Sequence, residues 1–185
     1  IRLSLVGSEM CIRDRADMSD AIKAMSTEIP ASTTEIAAVA EAAGQLGIQK
    51  DALLDFTRVM TMLGTATNMT AEDAATALAR FANITGMSAD NYDRLGAVIV
   101  DLGNNFATTE SEITQMGTRL ASGGKLAGLT EPQIMALAAA MSSVGIEAEA
   151  GGTAMTQTLN AIEKAVATGE DSLQSFADVA GMSAD

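Results

Sequence analysis

Apolar residues recur three and four positions apart in segment after segment of this chain, and a glycine follows or interrupts almost every run. Ile36, Val39, Ala40, Ala43 and Leu46 form one such stripe; Leu53, Phe56, Met60 and Leu63 form the next; Tyr92, Leu95, Ile99 and Leu102 form a third. Ile113, Met116 and Leu120 continue the series, followed by Ile134, Leu137, Ala138 and Met141, then by Met155, Leu159, Ile162 and Val166. This spacing places each set on one face of an α-helix, and no run sustains the period of two that a strand needs. Start signals precede the stripes: Ser32 with Glu35 and Thr109 with Glu112 have capping-box spacing, Thr70 precedes Ala-Glu-Asp, and Thr130 precedes Glu131-Pro132. Gly47, Gly64, Gly86, Gly103, Gly123-Gly124, Gly145, Gly169 and Gly181 stand where a residue with positive φ closes a helix without a Cβ penalty. The expected fold class is all-α, an array of about eight amphipathic helices of roughly 8–18 residues joined by glycine-containing corners.

Composition narrows the chemistry. There is no His and no Trp among the 185 residues, and Cys11 is the only cysteine. That excludes His-based acid/base chemistry, a Cys/His pair, His or Cys metal sites and any disulfide within the chain. With 11 Lys+Arg against 24 Asp+Glu the net charge is −13, so no basic patch is available for phosphates or an anionic membrane surface, and no direct nucleic-acid contact is expected. Only 3% of residues are aromatic, so leucines and the 11 of 12 methionines that follow Arg15 must fill the core. The most apolar uncharged run, Pro132 to Ile146, is shorter than the roughly 20 residues that span a bilayer, and it reads as a buried core helix rather than a membrane-spanning segment.

Three stretches approach a known site without making one. Asp101 to Glu112 has the length and acidic ends of a calcium loop, but Gly103 and Phe106 stand where an oxygen ligand and the turn glycine belong. Gly117 to Lys125 resembles a phosphate loop, yet Arg119 replaces its first glycine and Leu126 its magnesium-binding hydroxyl, so a flexible helix-to-helix linker is expected. Glu147 and Glu149, two apart on a helix, point to different faces. No catalytic, metal-binding or cofactor-binding residue is assigned, and an enzyme is not expected.

Ile1 to Arg15 differs in composition from the other 170 residues, holding three of the 11 basic residues and the only cysteine. It resembles translated sequencing-adapter sequence and is expected to be a non-native leader outside the fold of residues 16–185. Further on, Phe81-Ala-Asn-Ile-Thr-Gly-Met-Ser-Ala-Asp90 returns as Phe176-Ala-Asp-Val-Ala-Gly-Met-Ser-Ala-Asp185. Each copy reads as a corner: Gly86 and Gly181 supply the left-handed residue, Met87 and Met182 fold back as its apolar contact, and Ser88 and Ser183 cap the next helix. The first copy runs on into Asn91-Tyr92-Asp93-Arg94-Leu95 whereas the second meets the end of the chain, so truncation at both ends is expected.

Val100-Asp101-Leu102-Gly103-Asn104, Ser143-Val144-Gly145-Ile146-Glu147 with Gly151-Gly152-Thr153, and the Gly-Met-Ser-Ala-Asp corner are the most specific pieces of a wider resemblance. Over nearly all of residues 20–185 the chain resembles the core region of phage tail tape measure proteins. The resemblance implies a structural component of the virion, assembled in the host cytoplasm, that occupies the tail lumen, sets tail length and leaves during infection. It implies tail tube, tail tip and tail assembly chaperone proteins as partners, along with self-association, and it brings no catalytic residues and no cofactor. One departure is plain: corners every 15–20 residues and no sustained heptads suit a compact assembly module better than an extended rod. The alternative is a helical interaction or scaffold module of cellular origin.

Overall fold

The computed structural model describes the backbone of residues 3–168 and 171–181 and the side chains of residues 15–168 and 174–181. Among the described residues the chain is all helical, with α1 (Leu3–Glu28), α2 (Thr33–Gln45), α3 (Lys50–Ala66), α4 (Ala71–Thr85), α5 (Tyr92–Asn105), α6 (Glu110–Leu126), α7 (Glu131–Ser143), α8 (Ala148–Thr168) and α9 (Asp171–Ala180). A single 3-10 turn, Ala89–Asn91, leads into α5. The fold class is the expected one and the helix count is close to eight, although α1 with 26 residues and α8 with 21 exceed the expected lengths.

The helices begin where side-chain acceptors wait for their orphan N–H groups. Ser32 accepts from the Glu35 N–H at 3.2 Å while the Glu35 carboxylate accepts from the Ser32 N–H at 2.7 Å. Thr109 and Glu112 repeat the exchange at 3.3 and 2.9 Å, and Thr70 accepts from the Asp73 N–H at 3.1 Å. At α7 the acceptor is an amide: Gln133 Oε1 takes the Thr130 N–H at 2.9 Å, with Pro132 in the first turn.

They end in one repeated device. Gly47, Gly86, Gly128 and Gly145 all have positive φ, and in each case the next residue, Ile48, Met87, Leu129 or Ile146, donates its N–H to the carbonyl five residues back. That is a Schellman closure, in which the left-handed glycine turns the chain and the apolar residue after it folds against the helix just finished.

Two compact units divide the chain, one of residues 1–79 and 88–96, the other of residues 80–87 and 97–185, with α4 and α5 contributing to both. In the first, α2 packs on α3 and α1 packs on both. Its core holds Ile36, Val39 and Ala43 of α2, Phe56, Met60 and Leu63 of α3, and Leu78, Tyr92 and Leu95. The Phe56 and Tyr92 rings meet edge to face with centroids 4.8 Å apart. In the second unit α6 is central, packing on α7 and α8, and Phe81, Ile99, Ile113, Met116, Leu120, Ile134, Met135, Ala138 and Ala139 are buried.

Three expectations need correction. Gly64, Gly103, Gly123 and Gly124 do not end helices; they lie inside α3, α5 and α6. For the same reason Gly117 to Lys125 is no linker but the middle of α6, where Gly117, Gly123 and Gly124 are buried against neighbouring helices. The run Pro132 to Ile146 is not one buried helix, because α7 closes after Ser143 and Val144 and Ile146 emerge on the surface. The stripe Met155, Leu159, Ile162 and Val166 lies on one face of α8 as expected, with the first three half-buried and Val166 exposed.

Residues 3–15, expected to lie outside the fold, continue α1 as helix. Among the described side chains of α1, Met25 is the one that is buried.

Candidate functional site

The first repeated corner is held by its backbone. Gly86 has φ +68°, and the Met87 N–H reaches the Ala82 carbonyl at 3.0 Å. Met87 is half-buried and Gly86 exposed. Ser88 adopts the extended conformation of a cap, and its carbonyl accepts from the Asn91 N–H at 3.1 Å, yet its hydroxyl makes no capping bond. A tight 3-10 turn takes the place of a first α-turn, and the carbonyl alone closes it. At the second copy Gly181 has φ +67° and donates to the Asp178 carbonyl at 3.3 Å; Met182 and Ser183 lie outside the described residues.

The middle of the second unit is built on missing side chains. A Cβ on Gly123 would stand 2.9 Å from Thr156 Cγ2, one on Gly152 2.5 Å from Arg119 Cβ, and one on Gly124 2.7 Å from Ile134 Cγ1. The pairs Arg119 with Gly152 and Gly123 with Thr156 keep the same offset, so α6 and α8 run in the same direction, with α7 returning antiparallel beside α6. That offset places Leu159 level with Leu126, the last residue of α6. The later turns of α8 therefore have no α6 alongside and pack on α9 instead, which buries Ala165, leaves Ile162 half-buried and leaves Val166 exposed.

At the end of this unit where α6 begins, three chain segments converge. The Thr108 hydroxyl donates to Ser142 Oγ at 2.8 Å, and the Ser142 hydroxyl donates to the Ala138 carbonyl at 2.9 Å. The segment before α6 is thereby tied to the last turn of α7. A cleft of about 150 Å³ lies beside this tie, lined by Glu112, Gln115, Met116, Ser142, Ile146 and Glu147 among others. The Thr109 N–H and hydroxyl, and the Thr108 hydroxyl, hold the Glu112 carboxyl below the usual glutamate range. Ile146, which lines it, is left 41% exposed, and Val144 and Phe106, each two residues before a residue that lines it or ties its wall, are 73% and 47% exposed.

No group of three or more His, Cys, Asp or Glu able to hold a metal ion occurs among the described residues, and no helix among them is long and apolar enough to cross a membrane. A family model described as phage-related minor tail protein matches residues 19–185. The chain belongs to that family. It is also 31% identical over 143 residues to a probable tape measure protein of Halomonas phage phiHAP-1, an alignment covering 73% of this chain and 17% of the relative. The chain thus spans about a sixth of the length of the curated relative it matches. No solved structure matches. The likeness to tape measure proteins read from the sequence holds, and the alternative of a cellular scaffold module is left without support.

Sequence reasoning missed the exposed ends of this unit. Pro132 to Ile146 reads as one buried helix by its apolar composition, although Gly145 followed by Ile146 carries the same glycine-plus-apolar signal as Gly86 followed by Met87. The tie between Thr108 and Ser142, 34 residues apart, left no local signal at all.

Proposed function

We propose that this chain is a non-catalytic structural module of a phage tail tape measure protein, acting in tail assembly and, with the rest of that protein, in setting tail length and delivering the genome. In this reading it resides in the tail lumen of the virion after assembly in the host cytoplasm. Its partners are tail tube, tail tip and tail assembly chaperone proteins, along with self-association. It needs no cofactor, and its net charge of −13 disfavours contact with DNA while easing passage through an acidic lumen. Residues 1–15 are a dispensable leader, and residues 16–185 are the module.

The observation that carries the reading is the series of Schellman corners at Gly47, Gly86, Gly128 and Gly145. A ruler counts length through chain that stays extended, and here each helix from α2 to α7 lasts only 13 to 17 residues, about four to five turns, before the chain bends. An uninterrupted helix over residues 70–145 would measure roughly 110 Å at 1.5 Å per residue. In-frame deletion of those residues from the complete gene in a phage is expected to impair tail assembly or infection without shortening tails by that amount. Electron microscopy decides: proportionally shortened, infectious tails would make the segment part of the ruler, and unaltered tails with full infectivity would remove any tail role.

A further inference from the structure

The geometry points to the end of the second unit around Val144 and Ile146 as a docking surface for a cationic amphipathic segment of a protein partner. Three observations meet there. The first is apolar exposure that packing does not require. Val144 and Ile146 flank Gly145, whose φ of +80° turns the corner outward, and Phe106 precedes the Thr108–Ser142 tie that fixes the neighbouring segment. The Ile146 methyl occupies the place where a Cβ on Gly151 would stand, so the patch is held in position rather than loosely presented.

The second observation is the one-sided charge. Neither residues 95–118 nor residues 126–163 contain a Lys or Arg, and the carboxylates of Glu112, Glu147 and Glu149 lie in those stretches around the corner. Glu112 and Glu147 line the cleft itself. Arg119 is the nearby cation, and its guanidinium already lies 3.9 Å from Glu149. An apolar centre with an acidic rim selects a partner that inserts aliphatic side chains and sets Lys or Arg on the rim, steered by opposite charge.

The third observation decides between occupants. A second copy would bring the same carboxylates face to face, and like charges set against each other oppose that pairing. The inference takes from the proposed function only that the chain works among proteins. Its test reads peptide binding, not tail length, so either can fail alone.

The test titrates the full 185-residue chain into a fluorescein-labelled synthetic 14-residue peptide of Leu and Lys in helical repeat, read by anisotropy at low and moderate salt. Binding is expected, weakening as salt rises. Val144→Ser, Ile146→Asp and Glu147→Lys should each weaken it at least about tenfold, roughly the cost of losing one well-placed contact. Val179→Ser and Glu72→Lys, exposed residues far along the sequence, should change it less than about twofold. Val144 is the most exposed of the three patch residues, so its variant stays informative if Ile146→Asp disturbs folding in a circular dichroism melt. Absence of binding, or equal weakening by Glu72→Lys and Glu147→Lys, would overturn the inference in favour of diffuse charge attraction. Sedimentation showing a dimer that Val144→Ser dissolves would overturn it in favour of a second copy.

Discussion

Gly152 of α8 faces Arg119 of α6 so closely that a Cβ on the glycine would lie 2.5 Å from the arginine Cβ. A Cβ sits at the root of its side chain and cannot swing aside, so any side chain at position 152 must push α6 and α8 apart. In an ordinary helix interior, Gly→Ala stabilises by up to about 1 kcal/mol through propensity. Here overpacking, at about 1–3 kcal/mol, opposes and outweighs that gain. Gly152→Ala is therefore expected to lower the unfolding midpoint, while Gly44→Ala in α2, where a Cβ would meet nothing within 4 Å, should raise it. Thermal melts of the two variants check the pair, and a stabilised Gly152→Ala would show that the interface has room to relax.

The corner at Gly86 isolates the opposite cause. A Cβ there also meets nothing within 4 Å, but φ is +68°, so the cost of a side chain is conformational and not steric. Gly86→Val should destabilise by about 1–2 kcal/mol or more, since a β-branched residue resists the left-handed region. Ser88→Ala should cost less than about 0.5 kcal/mol, below the usual cap value, because the Ser88 hydroxyl makes no capping bond. Chemical denaturation of both variants measures the difference, and equal losses would mean that the hydroxyl contributes in a way the geometry does not show.

How much of this fold is legible in the sequence depends on whether the cause is local. The caps at Ser32 and Thr109 and the buried stripe from Tyr92 to Leu102 are set by residues within a few positions of each other, and they stand as read from the sequence. Gly123 and Gly124 misled because a glycine admitting positive φ and a glycine admitting a neighbouring helix look alike in one dimension; only Thr156 and Ile134, distant in sequence, tell them apart. The stripe from Met155 to Val166 is a related case. Periodicity shows that a helix has an apolar face but not that a partner reaches it, and α6 stops before Ile162.

Thr114 carries a further prediction. Its side chain is fully buried and its hydroxyl has no hydrogen-bond partner among the described residues, unlike Thr57, Thr61 and Thr85, whose hydroxyls donate to carbonyls four residues back at 2.7, 2.8 and 3.0 Å. An unsatisfied buried hydroxyl costs about 1–3 kcal/mol. Thr114→Val, close in shape, should be neutral or stabilising, raising the midpoint by up to roughly 2–4 °C per kcal/mol recovered. Thr61→Val should instead lose about 1 kcal/mol with its bond. Similar losses in both would place a hydrogen-bonded water against Thr114.

The two glutamate caps make stability depend on acid in a definite direction. The Ser32 hydroxyl and then its N–H hold the Glu35 carboxyl below the ordinary value of 4.5, and the Thr109 N–H and hydroxyl, with the Thr108 hydroxyl, do the same for Glu112. A carboxyl whose folded pKa is depressed contributes stability that is fully present above the unfolded pKa and is lost as pH falls through the folded one. The window thus lies below about pH 4.5, while near neutrality the contribution is constant. Gln133 in α7 shows that an amide completes the same box without titrating. Glu35→Gln with Glu112→Gln should therefore leave the fold intact but flatten the decline in unfolding midpoint between about pH 5 and 3, with wild type and variant converging at the acid end where wild type has lost its two charges. Melting curves across that range, run side by side because many other carboxylates titrate there too, isolate the two caps. Parallel curves would mean that the boxes act as hydrogen bonds alone and that their charge adds nothing to the fold.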